Sequence, residues 1–246
     1  MSLSRRAFLT TALTPAALVS VRAKSGTTVP QIILKADDFP PRDVTRLARW
    51  QRFLDVLHDR LIRCCIGYVG AWGEDPAVLW PTYSTNYVEV FCHGWDHGDY
   101  GDGTYEFQGR PLDLQVDSLR SCYDGALARL GVRLSAFGAP FNRTDDMTRL
   151  ALLAVPVYRR WLFHSLAAPA GVMGLSRGYG EIETAVGCPS LSKLQATLAT
   201  SKPFAVLQCH PANFATETAW YELEACLDWL TSLGCEFTTP SRYVGV

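Results

Sequence analysis

Val88-Glu89-Val90-Phe91-Cys92 runs directly into His93-Gly94-Trp95-Asp96-His97-Gly98. The first five residues, apolar apart from Glu89, read as a buried strand. The six that follow put two histidines four positions apart, beside two glycines, just past the strand's end. Imidazole suits zinc and the other borderline divalent metals. Two ligands do not hold a metal, so a third group must come from elsewhere in the chain.

Working outward, apolar runs alternate with amphipathic stretches. Gln31–Ala36, Cys64–Val69, Leu134–Phe137, Tyr158–Phe163, Phe204–Gln208 and Cys235–Thr238 read as further strands, with a weaker one at Thr184–Val186. Between them lie helical patterns. Asp43–Arg60 has Val44, Leu47, Trp50, Leu54 and Leu57 on one face. Leu112–Leu130 has Val116, Leu119, Tyr123, Leu127 and Leu130 on one face, with Gly131 placed as a C-cap glycine. Thr144-Asp145-Asp146 is an N-cap signal for a helix reaching Ala154. Leu191–Ala199, Glu217–Leu233 and a short stretch at Pro76–Tyr83 are also helical. Gly98–Gly109 and Ala167–Gly180 read as exposed loops that shape a cleft. No repeat, low-complexity segment or linker interrupts the pattern. About eight strands alternating with helices predict an α/β fold with a parallel sheet, more in keeping with a barrel than an open sheet.

The polar residues sort onto one end of these strands. Asp37 and Asp38 follow the first, His93 and His97 the third, Asn142 the fourth, His164 the fifth and His210 the Phe204 strand. Four of the five histidines therefore sit just past a strand's C-terminal end, and only His58 does not. In barrels this rim carries the active site. Two histidines and one carboxylate make a facial metal set with open positions. Adjacent strand residues point to opposite faces, so Asp37 and Asp38 can share the site only if the strand breaks. Phe39-Pro40-Pro41 predicts that break.

Composition bounds the rest. The 246 residues are 48% hydrophobic and 19% charged, with net charge −1 and no basic stripe, so nucleic acid is not expected as a partner. Ser4-Arg5-Arg6-Ala7-Phe8-Leu9, an apolar stretch to Val21 and then Val21-Arg22-Ala23 read as a twin-arginine signal peptide over residues 1–23. The mature chain, 24–246, loses three arginines with it and falls to a net charge of −4. It has no second long apolar run, and is expected to be periplasmic or secreted without a membrane span. The eight cysteines form no CxxC pair, which disfavours a thiolate zinc site, and no disulfide pairing is assigned. Gly174-Leu175-Ser176-Arg177-Gly178 matches GxSxG, but no strand is read before it and no helix after it, as a nucleophile elbow requires.

In this order the motifs resemble the NodB-like polysaccharide deacetylases of the carbohydrate esterase family 4 type, in particular divergent members with a His-Gly-x-x-His motif. Lys35-Ala36-Asp37-Asp38 is similar to the family's first motif and His93-Gly94-Trp95-Asp96-His97 to its second. Ala139-Pro140-Phe141-Asn142 is similar to the third and Leu207-Gln208-Cys209-His210-Pro211 to the last. The resemblance spans roughly residues 31–240 and implies a single distorted (β/α) barrel of about seven strands. It also implies metal ligands Asp38, His93 and His97 for one divalent ion, usually zinc, with Asp37 as general base and His210 as general acid. A backbone N–H near Phe141 would help hold the oxyanion. Trp95, Pro140, Phe141, Asn142 and His164 are candidate substrate contacts.

The implied activity is removal of N-acetyl or O-acetyl groups from an extracytoplasmic glycan. The same residues leave open hydrolysis of another non-peptide C–N bond, or an inactive carbohydrate-binding homologue. Two positions depart from the family pattern. Gly138 stands where an arginine usually orients the base. No Asp-and-Trp motif tunes the acid histidine, for which Asp145, Asp146 and Glu183 are the candidate substitutes.

Overall fold

The computed structural model describes residues 29–72, 87–164 and 166–244. The signal segment and the helix read at Pro76–Tyr83 lie outside them.

Strands β1 (Gln31–Phe39), β2 (Cys64–Tyr68) and β3 (Val88–Cys92) open the chain, with helix α1 (Val44–Asp59) between the first two. A short hairpin, β4 (Asp99–Gly101) and β5 (Thr104–Tyr105), leads to helix α2 (Leu112–Leu130). Then come β6 (Ala136–Phe137), α3 (Asp146–Ala154), β7 (Arg160–Leu162) and β8 (Met173–Leu175). A second hairpin follows, β9 (Glu183–Ala185) with β10 (Cys188–Pro189). Helix α4 (Leu191–Thr197), β11 (Phe204–Cys209), α5 (Glu217–Ser232) and β12 (Glu236–Thr238) complete it.

The principal sheet has the order β11-β1-β2-β3-β6-β7-β8, parallel throughout. β12 pairs with the first half of β1. Seven strands curl into a half-open barrel, the distorted (β/α) barrel expected, with the strand C-termini on one rim.

Strand periodicity decides which residues reach that rim. Ile33, Cys65, Phe91, Ala136, Leu162, Leu175 and Val206 form a core with no helix residue in it, so they face the barrel interior. Their neighbours Ile32, Leu34, Cys64, Ile66, Val90, Cys92, Ala205 and Leu207 pack under the helices instead. Because the period is two, the interior columns continue as Ile33-Lys35-Asp37, Phe91-His93 and Val206-Gln208-His210. The apolar barrel floor thus delivers ionisable side chains to its mouth.

On the outer face, Phe39, Trp50, Phe53, Phe214 and Trp220 form a chain of edge-to-face rings 5.1–6.4 Å apart. Such pairs add about 0.5–1.5 kcal/mol each beyond burial. This chain anchors the end of β1, one residue from Asp38, to α1 and α5.

Helix limits follow the capping signals. Asp43 accepts from Arg46 N, and Asp145 forms a capping box with Thr148. Gly131 takes φ 66° where α2 ends. Two of the apolar residues read onto the helices' single faces are exposed: Val44 lies in the first turn of α1, and Leu127 faces outward while Cys122 and Ala126 fill the core. The stretch Gly98–Gly109 is not simply an exposed loop, since it holds the first hairpin and carries buried Glu106 and Phe107. Likewise Ala167–Gly180 contains β8. All eight cysteines are free, six of them buried.

Candidate active site

The break in β1 falls at Asp38. The β1–β2 register shifts between Ala36 and Phe39, and Asp38 takes φ 71°, which turns its side chain to the same side as Asp37. Among the described residues seven non-glycine residues have positive φ, and five of them line one cavity: Asp38, His97, Phe141, Asn142 and Phe163. Such backbone is uncommon away from glycine and clusters at functional sites. The cavity has a volume of about 640 Å³ and also contains Asp37, His93, Gln208 and His210.

Asp38, His93 and His97 offer three ligand atoms within 4.8 Å of one another. Asp38 Oδ1 lies 3.5 Å from His93 Nε2 and 3.1 Å from His97 Nε2. Yet it is buried with no hydrogen bond of acceptable geometry. Burial alone would raise the Asp38 pKa, but the two histidines outweigh it and hold the carboxyl well below the usual range. His93 Nδ1 is 2.7 Å from the carbonyl oxygen of Gly138 and donates to it, which leaves the Nε2 lone pair facing Asp38. An orphaned carboxylate oxygen opposite two imidazole nitrogens fits a borderline divalent cation.

The loop bearing these histidines is held by a group that the sequence reading missed. Glu106, fully buried, accepts the backbone N–H groups of Trp95 at 2.5 Å and His97 at 2.8 Å. Burial pushes its pKa up to about 7. Gly94 is required here, because it has φ 87° and a Cβ would run into the Glu106 carboxylate and Pro140.

Asp37 is fully buried. Lys35 Nζ, also fully buried, lies 2.6 and 2.5 Å from its two oxygens, and Gln208 Nε2 donates to it at 2.5 Å. Burial raises the Asp37 pKa, and His93, Lys35 and His210 together bring it net below the usual value. The lysine ammonium also sits over the Phe91 and Phe163 rings. Gly138 makes room for it, since a Cβ there would come 3.0 Å from Lys35 Cε and from Phe91 Cε2. The missing arginine at 138 and the buried lysine at 35 are therefore one arrangement. A cation reaches Asp37 from its own strand, two residues away.

His210 faces Asp37, with Nε2 3.9 Å from Oδ2. Glu183, on β9, accepts from His210 Nδ1 at 2.7 Å and from its backbone N at 2.9 Å. Burial lowers the His210 pKa, but Glu183 and the nearby aspartates outweigh it and raise it net. Of the three candidate carboxylates, Glu183 is thus the one on the histidine. Asp145 caps α3, and Asp146 pairs with Arg149.

Phe141 lies 4.4 Å from the His97 ring, and Asn142 donates to Gln208 at 3.0 Å. Both line the cavity. Pro140 is buried against Gly94 and is not among the cavity's lining residues. Trp95 and His164 are not among its lining residues. The Trp95 ring packs toward Gly70 and Gly125, and His164 bonds the Leu166 carbonyl and stacks on Trp161.

The barrel and its rim define the class: the fold is that of the NodB-like carbohydrate esterase family 4 proteins. Among solved structures it is similar to a family 4 acetyl xylan esterase from Clostridium thermocellum in complex with a cobalt ion, at 14% identity and a TM-score of 0.61, over 86% of this chain and 88% of that one. It is similar to the catalytic domain of a peptidoglycan N-acetylglucosamine deacetylase from Eubacterium rectale, at 16% identity and 0.60, over 86% and 88%. It is also similar to a family 4 pseudoenzyme from Bacillus anthracis, at 12% identity and 0.61, over 85% of this chain. The chain spans 63% of the length of that last protein. No protein-family model matches the sequence, and no curated protein matches it. Among the described residues, no helix is long and apolar enough to cross a membrane.

Proposed function

We propose that this protein is a metal-dependent deacetylase that hydrolyses N-acetyl (or O-acetyl) groups on an extracytoplasmic glycan, exported by its twin-arginine segment. The observation that carries the reading is the convergence of Asp38, His93 and His97 at one point, with Asp37 and His210 facing the same cavity. Asp38 Oδ1 and the two Nε2 atoms would hold one divalent cation, zinc by the chemistry of the donors. When bound, such an ion polarises an acyl carbonyl and acidifies water.

The protein's own groups then divide the work. Asp37 accepts the proton of the attacking water. Lys35 and Gln208 keep its carboxylate fixed and ionised, so it is ready before substrate arrives. His210, oriented by Glu183, keeps Nε2 toward the cavity and delivers a proton to the departing amine or alcohol. The Phe141 ring, packed against His97, supplies an apolar surface for the acetyl methyl.

The test is acetate release from N-acetylglucosamine oligomers and acetylated xylan by zinc- or cobalt-loaded protein. Expected are turnover, loss with chelator, and loss of at least about 10²-fold in Asp37→Asn and His210→Ala. A metal-loaded protein that releases no acetate yet still binds these glycans would instead be a carbohydrate-binding homologue.

A further inference from the structure

Beside the metal triad lies a recess that the proposed chemistry does not use. Phe141, Asn142, Arg143 and Arg177 line both the main cavity and this adjoining space of about 550 Å³, which Gln108 and Thr144 complete. Among the described residues no carboxylate lines it. Arg143 lies 5.3 Å over the Tyr105 ring and Arg177 5.0 Å over the Phe163 ring, and both rings belong to the main cavity. Among the described residues neither arginine has an ion pair or a side-chain hydrogen bond. The carboxylates nearby are engaged elsewhere: Glu181 with Lys193, Glu183 with His210, and Asp99 with the backbone N–H of Gly101. Thr144, in the same recess, has a hydroxyl oxygen buried without a partner.

Two guanidiniums without an ion pair and a buried hydroxyl without a partner thus meet in one recess of a chain whose net charge is −1. We propose that this recess is an anion subsite. It holds a carboxylate or phosphate carried by the glycan beside the acylated sugar. The guanidinium fork matches either group with paired hydrogen bonds. Stacking on Tyr105 and Phe163 restricts each arginine before the ligand arrives. The inference rests on the deacetylase reading for which sugar lies at the metal, but not for whether an anion binds.

The experiment compares an N-acetylglucosamine–glucuronate tetrasaccharide, its methyl ester and a phosphate-bearing analogue, using the metal-loaded full chain. Turnover is followed by acetate release, and binding by calorimetry on Asp37→Asn. The acid or the phosphate compound is expected to exceed the neutral ester about tenfold in kcat/KM and in affinity, with the advantage shrinking as salt is added. Which of the two wins identifies the anion. Arg143→Ala/Arg177→Ala is expected to bring acid and ester to the same value. Neither anionic compound binding Asp37→Asn more tightly than the neutral ester, or a preference that survives the double substitution, overturns the subsite. Preferential binding without turnover of any compound would keep the subsite and overturn the deacetylase reading.

Discussion

Replacing Lys35 with methionine removes the positive member of a fully buried ion pair and keeps a side chain of similar length. Asp37 then stays buried with Gln208 as its remaining short partner and two imidazoles at 3.6 and 3.9 Å. Stranding one member of such a pair costs about 3–5 kcal/mol. Removing both members, in Lys35→Met/Asp37→Asn, strands no charge and costs far less, so the two substitutions should couple by roughly 3 kcal/mol.

Urea denaturation of wild type, both singles and the double, at neutral pH with chelator present, measures this directly. The sign of the pH dependence is fixed by Asp37. Its pKa is depressed on folding, so the pair's contribution is complete above the ordinary aspartate range and is lost as pH falls through the lowered value. The penalty of Lys35→Met should shrink in acid accordingly. In Lys35→Ala, adding Gly138→Arg should recover part of the loss, because the departing lysine removes one of the two 3.0 Å contacts a Cβ at 138 would make and leaves only the Phe91 ring to shift by a few tenths of an ångström. A single-variant cost under about 1 kcal/mol, or a double no more stable than the single, refutes the argument that Lys35 exists to hold Asp37.

Three further outcomes follow from the same geometry. In Glu183→Gln the basic limb of kcat/KM should move to lower pH. His210 loses the carboxylate that raises its pKa, and the protonated acid is lost earlier as pH rises; a limb that stays in place removes Glu183 from the mechanism. His210→Ala should lower kcat about 10²–10⁴-fold with little change in metal content, and equal loss of metal would argue that it is a ligand instead. Glu106→Gln presents an amide N–H to one of the two backbone donors it must accept from, and should weaken metal affinity about 10–100-fold in chelator competition. Unchanged affinity would mean that the His93–His97 loop holds its shape without that carboxylate.

Much of the fold was legible because parallel strands buried on both faces leave continuous apolar runs, as in Ile32-Ile33-Leu34 and Ala205-Val206-Leu207. The rim residues were legible because histidines and paired aspartates are conspicuous where such runs stop. Lys35 carried its own signal, a charge inside a buried run, and period two puts it on the same face as Asp37. Its partnership could have been read directly. Glu106 could not, because its Gly- and Asp-rich surroundings look solvated while its partners are backbone N–H groups eleven and nine residues away. Glu183 was one of three open choices, since only the β9–β10 hairpin brings it to His210. β8 escaped notice because it is three residues long with Gly174 at its centre, where a Cβ would come 2.5 Å from the His164 ring.

The metal centre is the claim on which the rest depends, and equilibrium metal binding tests it most directly. Purified full chain, stripped with chelator and titrated with zinc and then cobalt, should take up one ion per chain. Asp38→Asn, His93→Ala and His97→Ala should each abolish that uptake while remaining folded. Stoichiometric, tight metal binding by His93→Ala, or no uptake by the wild-type chain, would contradict the account.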